Sequence, residues 1–146
     1  MKYTLVSIIS ILSVSMFNLD KIASSNIKYT INDAKKIYEL NESFAQNAKG
    51  KNPYKIEGYD FSDFLCVEMN LSSLNPGTYT IDGKNTFYFA QTVSKQYDGS
   101  DGQIIITENK NGKVSGTFIV KLVPQDGTTD KSINQISGSF DKINLK

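Results

Sequence analysis

Four acids, Glu57, Asp60, Asp63 and Glu68, crowd the approach to the first strongly β-patterned stretch of this 146-residue chain. Two carboxylates held a few ångströms apart across a cleft can act as acid and base on a glycoside, so this cluster is the one catalytic device open to the composition. The chain has no His and no Trp, all 16 basic residues are Lys, and there is a single Cys. Those gaps exclude imidazole bases, Ser-His and Cys-His nucleophile pairs, His or Cys-cluster metal sites, an intramolecular disulfide and guanidinium clamps on phosphate. Asp98-Gly99-Ser100-Asp101-Gly102 resembles the start of a calcium loop. It has Gly102 where a fifth-position oxygen ligand belongs and Asn109 where the closing Glu belongs, so it reads as a plain turn. Cys66 lies in Phe64-Leu65-Cys66-Val67-Glu68-Met69, an apolar strand pattern that suits a buried thiol better than a reactive or bridging one. Neither a cofactor nor a metal is expected, and the acids read as solvated loop and strand-edge residues rather than an active site.

Aromatic side chains offer a second kind of chemistry, stacking against a ligand. Phe87 and Phe89 share one face of a strand and read as core, while Tyr88 points the other way with a polar tip on a rigid ring. Tyr88, with Tyr79 and Tyr97, forms the candidate ligand-binding set.

These residues must be carried by an exported domain. Met1-Lys2, an apolar run from Leu5 to Phe17 and the small residues Ala23-Ser24-Ser25 read as a signal peptide cleaved after Ser25. The apolar run, about 20 Å long as a helix, is short against a hydrocarbon core of about 30 Å, though a retained anchor is the competing reading. No Cys stands at the cut to carry a lipid. Loss of Lys2, Lys21 and Asp20 leaves 14 Lys against 14 acids, a net charge of zero. That balance argues against nucleic acid and against a polybasic grip on membranes. The expected compartment is the periplasm or the outside of the cell.

Residues 26–58 read as an N-terminal segment and 59–146 as the main domain. Ala34, Ile37, Leu40, Phe44 and Ala48 recur at helical spacing, which predicts a helix over 33–49, capped by Thr30 or Asn32 and closed by Gly50. From Tyr59 the period becomes two, with strands at 64–71, 78–81, 85–93, 103–108, 113–123 and 133–145. Asp82-Gly83 and Asn111-Gly112 read as hairpin turns. Ile136 and Phe140 share a face that Ile143 and Leu145 miss by parity, which predicts a bulge near Asp141-Lys142. Val114-Ser-Gly-Thr-Phe118 and Ile136-Ser-Gly-Ser-Phe140 repeat one pattern. A ring lying across a strand glycine compensates for its missing side chain, so the two are expected to be neighbours. The expected fold is mainly β, an antiparallel sandwich or open barrel of six to seven strands with one N-terminal helix.

The run from Gly102-Gln103-Ile104-Ile105-Ile106-Thr107 through Ser115-Gly116-Thr117-Phe118, the closing Ile136-Ser137-Gly138-Ser139-Phe140-Asp141 and the earlier Pro76-Gly77-Thr78-Tyr79 resemble a family of small exported β-domains of unknown function from Bacteroidota, often lipoproteins. The resemblance covers about residues 64–145 and implies an antiparallel β-sandwich in the cell envelope, with no catalytic residue to carry over. The leading expectation is a non-enzymatic module that binds another protein, inhibitor-like or immunity-like. The alternatives are a calycin-like barrel with an apolar cavity between Phe64, Phe87, Phe89 and Phe118, and a carboxylate-based glycoside hydrolase.

Overall fold

The computed structural model describes residues 26–40, 42–47, 53–60, 64–128 and 130–146. The expected leader and Asp63 lie outside them. Ten strands form one antiparallel sheet: β1 (Asn26–Ile31), β2 (Tyr38–Leu40), β3 (Glu42–Asn47), β4 (Tyr54–Asp60), β5 (Leu65–Leu71), β6 (Gly77–Thr80), β7 (Thr86–Thr92), β8 (Lys95–Lys110), β9 (Lys113–Pro124) and β10 (Gln135–Asn144). Their order is β2-β1-β10-β9-β8-β7-β5-β4-β3, with β6 paired to β8. The two end strands, β2 and β3, follow one another in the chain, and Ala45 of β3 bridges in parallel to Leu145 just past β10. The amide of Lys146 donates to the Ala45 carbonyl at 2.8 Å. The sheet therefore curls into a nearly closed barrel, which covers the edges that an open sheet would expose.

The helix expected over 33–49 is absent from the described part of that stretch, and the segment 26–58 contributes β1 to β4 to the same sheet. Asn32 and Asp33 adopt left-handed φ of 51° and 55°, a turn rather than a helix start. Asn32 Oδ1 accepts from the amides of Asn134 and Gln135, while its Nδ2 donates to the Ser132 carbonyl. Of the helical stripe, Leu40 is buried as an inward position of β2, but Ala34 and Ile37 are exposed, because they lie in the loop between β1 and β2. The expected strand count also falls short, since β1 to β4 and the first half of β8 were not read as strands.

The late strands follow the sequence reading. Asn111 and Gly112, at φ of 53° and 69°, turn β8 into β9. The β9–β10 register shifts between Phe140 and Ile143, where Lys142 takes φ of 50°, so the bulge brings Phe140 and Ile143 both into the core. Gly138 pairs with Phe118 and Gly116 with Phe140. Each ring lies over the partner strand's glycine: a Cβ on Gly138 would sit 2.7 Å from Phe118 Cζ, and one on Gly116 2.5 Å from Phe140 Cζ. Around Asp82-Gly83, by contrast, β6 and β7 do not pair with each other as a hairpin. Both lie along β8, and Asp82 Oδ1 accepts the amides of Lys84 and Asn85 to make the turn.

Rings pack directly inside the barrel, Phe87 on Phe118 at 5.3 Å, Phe89 on Tyr97 at 5.9 Å and Tyr29 edge-on to Phe89 at 5.6 Å. Phe64, expected to line a cavity with three of these, is 67% exposed. No helix among the described residues is long and apolar enough to cross a membrane.

Candidate functional site

The acid cluster divides by strand parity. Lys55, Glu57 and Tyr59 project outward from β4, while Ile56 and Gly58 face the core and place Asp60 on the inner side. Glu57 lies opposite Glu68 across β4 and β5. The Lys55 ammonium joins the pair, donating to Glu57 Oε1 at 2.8 Å and Glu68 Oε2 at 3.2 Å. Gln46 Nε2 donates to Glu57 Oε2, the Tyr59 hydroxyl bonds the same carboxylate, and Asn70 Nδ2 donates to Glu68 Oε1 at 2.7 Å. Burial pushes the Glu68 carboxyl up, but the hydrogen bonds from Asn70 and Lys55 outweigh it and hold the group below the usual carboxylate range. Burial would lower the Lys55 ammonium, and its two glutamates raise it instead. This arrangement is an ion triad with its lone pairs taken, side by side on adjacent strands.

Cys66 sits in the same outer face, between Tyr59 and Ala90 in register. Burial first, then the charges of Glu68 and Glu57, push its thiol up to about 12, which keeps it protonated and a poor nucleophile.

The three candidate tyrosines do not come together. Tyr88 projects from the outer face, half-buried, opposite Glu68 and Asp98. Tyr79 packs against the core from β6 and donates its hydroxyl to the Asn75 carbonyl at 2.6 Å. Tyr97 is fully buried, and its hydroxyl donates to the Asp130 carbonyl at 2.8 Å, so its ring belongs to the core. Asp98 to Gly102, expected as a turn, is strand within β8 with a bulge between Gly99 and Asp101. Asp101 pairs with Lys121 at 2.9 Å and Asp98 accepts from Gln125 at 2.8 Å. Among the described residues, no three His, Cys, Asp or Glu side chains gather to hold a metal.

A different surface stands out once the register is known. On the outside of five adjacent strands, β1, β10, β9, β8 and β6, two rows of side chains run across the sheet. One is Thr30, Ser137, Ile119, Gln103 and Thr80, and the next is Lys28, Ser139, Thr117, Ile105 and Thr78. The face spans about 19 Å at roughly 4.8 Å per strand. Ten ordinary surface positions would carry about three charges, and these carry one, Lys28, whose ammonium lies 3.8 Å from Glu39. Two shallow grooves open on this face. One of about 330 Å³ lies among Thr30, Ile37, Ser137 and Ser139, and one of about 340 Å³ among Thr80, Gln103, Ile119 and Gln135, with the Lys121–Asp101 ion pair also lining it. Sequence reading missed this face because parity alone shows which residues point outward, not which strands lie beside them. The alternating Ser115, Thr117, Ile119 and Ser137, Ser139 were its visible trace.

The fold and this surface define a barrel-like β-domain with an aromatic core and two charge-poor rows on its outer face. The model of a family described as a domain of unknown function, DUF6252, matches residues 41–144, and the chain belongs to that family. The match starts beside β3, so β1 and β2 complete the sheet from outside it. No curated protein and no solved structure matches the chain.

Proposed function

We propose that this protein is an exported, non-enzymatic binding module that docks a protein partner in the envelope or outside the cell on the outer face of β1, β10, β9, β8 and β6. The observation that carries the reading is the row pattern itself, two five-residue rows of Thr, Ser, Gln and Ile with one charge. Protein interfaces are depleted of charge at their centres, and β-branched side chains on a rigid sheet lose little entropy when covered. Ile119, 45% exposed, stands at the middle of the central strand of the five, where an anchor residue contributes most. Export rests on the apolar leader and its small-residue cut site, and a neutral mature chain leaves recognition to shape and hydrogen bonding.

The test is retention of a protein from envelope extract by the immobilised chain, compared with Thr117→Lys/Ile119→Lys and with Lys131→Glu on the exposed loop before β10. The reading expects one discrete protein, lost with the double variant and kept with the loop variant. Retention that survives Thr117→Lys/Ile119→Lys contradicts it.

A further inference from the structure

The two ends of the barrel differ in what they expose. Because neighbouring strands run antiparallel, the loop from β1 to β2, the approach to β5 and the turn from β7 to β8 all open at the same end. These carry the three most exposed large apolar side chains among the described residues, Ile37 at 66%, Phe64 at 67% and Val93 at 68%. At the opposite end, the described loops 72–76 and 111–112 expose none, and Leu74 there is buried. Apolar side chains scattered singly over a surface are ordinary, but these are gathered at one pole. Two local details suit an apolar surrounding. Phe64 takes a left-handed φ of 56°, which a bulky side chain rarely adopts, and its ring stands outside the core. The turn that presents Val93 satisfies its own polar groups: Gln96 Nε2 donates to the Val93 carbonyl at 2.7 Å, and the Thr92 and Ser94 hydroxyls bond each other at 3.3 Å. Polar groups paired in this way lose little when water is withdrawn.

We infer that this end of the barrel inserts shallowly into the surface of a lipid membrane, a contact apart from the protein docking on the outer face. Side chains on three separate loops form projections rather than a groove. A fluid acyl layer receives each of them, where a folded partner would need a separate pocket for each. Charge agrees with a neutral lipid: the described residues of the loops at this end, 32–37, 64, 93–94 and 125–134, hold three Lys and three Asp. The contact is therefore carried by apolar burial and not by a polybasic grip. With three side chains it is reversible, far weaker than a spanning helix.

The chain has no Trp, so a single introduced Trp reports on its own surroundings. The full chain carrying Val93→Trp, or Lys110→Trp at the opposite end, is mixed with vesicles of dioleoylphosphatidylcholine and with vesicles containing its dibrominated analogue. The inference expects a blue shift and bromine quenching from position 93, neither from position 110, and no loss of the response in high salt. Adding Ile37→Ser and Phe64→Ser to Val93→Trp should lower vesicle partitioning about tenfold or more while the circular dichroism stays native. β1 begins at Asn26, at the end that holds Lys110, so binding driven by residues 1–25 would report from position 110 instead. A response at 110 equal to or above that at 93, no response at 93, or partitioning that survives Ile37→Ser/Phe64→Ser overturns the inference.

Discussion

Replacing Gly138 with alanine tests the reciprocal packing of β9 and β10. A Cβ there would lie 2.2 Å from the Lys28 carbonyl oxygen and 2.7 Å from Phe118 Cζ. Ordinary contact begins near 3.4 Å, so β1 and β10 must part by more than 1 Å or the ladder between them must tilt. Overpacking of this kind costs about 1–3 kcal/mol, and the obstacle is backbone rather than the end of a flexible side chain, so we expect about 3 kcal/mol. Removing a strand glycine's excess entropy in the unfolded chain returns at most about 1 kcal/mol of that. Gly116→Ala should behave alike, with the Ile105 carbonyl oxygen at 2.1 Å and Phe140 Cζ at 2.5 Å. Gly58→Ala provides the contrast: its Cβ meets the methyl ends of Ile27 at 2.7 Å and Leu40 at 3.1 Å, which can rotate away, so about 1 kcal/mol is expected. Urea unfolding followed by circular dichroism measures all three. With a slope of about 2 kcal/mol per molar, the two strand-crossing variants should lose about 1–1.5 M in midpoint and Gly58→Ala about 0.5 M. Adding Phe118→Leu to Gly138→Ala should not rescue it, because the Lys28 carbonyl remains. A midpoint for Gly58→Ala at or below that of Gly138→Ala refutes the reasoning.

Tyr29→Phe removes an unpartnered buried hydroxyl and keeps the stacked ring, so it should leave stability unchanged or raise it by about 1 kcal/mol; thermal unfolding that falls by several degrees contradicts this. Cys66, with its thiol near 12, should react with Ellman's reagent at pH 8 far more slowly in the native chain than in urea. The same raised value makes Cys66 stabilising below the ordinary thiol range and progressively less so as pH climbs from about 9 to about 12. Acid acts through depressed carboxyls: Ser132 and Lys95 hold Asp130 near 2, and Glu68 is also lowered, so their contributions are present above about pH 4 and fade as pH falls toward 2. Stability that rises on acidification through that window, read from urea midpoints at several pH values, contradicts the assignment.

The second half of the fold was legible because its strands carry long, strict alternation with glycines and turns in diagnostic places. The β8–β9 hairpin, the Phe-over-Gly echo and the bulge beside Lys142 all follow from residues within about thirty positions of each other. The first half was not legible. Asn32 and Asp33 turn left where the segment around residues 132–135 donates hydrogen bonds to their side-chain oxygens, a contact a hundred residues away in sequence. Leu40, Ala45 and Ile56 face a core supplied by strands on the far side of the barrel, and local spacing in a short segment fits a helix equally well. The acids were visible as a cluster, but only the β4–β5 register shows Glu57 and Glu68 joined by Lys55 while Asp60 turns inward. Tyr97 read as a possible contact because Tyr often sits at surfaces, and the Asp130 carbonyl that satisfies its hydroxyl within the core comes from a distant loop.

Photo-crosslinking from the outer face measures the binding reading most directly. A photoreactive residue replacing Ile119 is irradiated in cells that export the chain, and compared with the same residue replacing Tyr88, on the outer face of β7 and outside the two rows. The account predicts a discrete adduct with one other protein from position 119 and none from position 88. Adducts of equal yield from both positions, or none from position 119 in a chain shown to be folded and exported, contradict it.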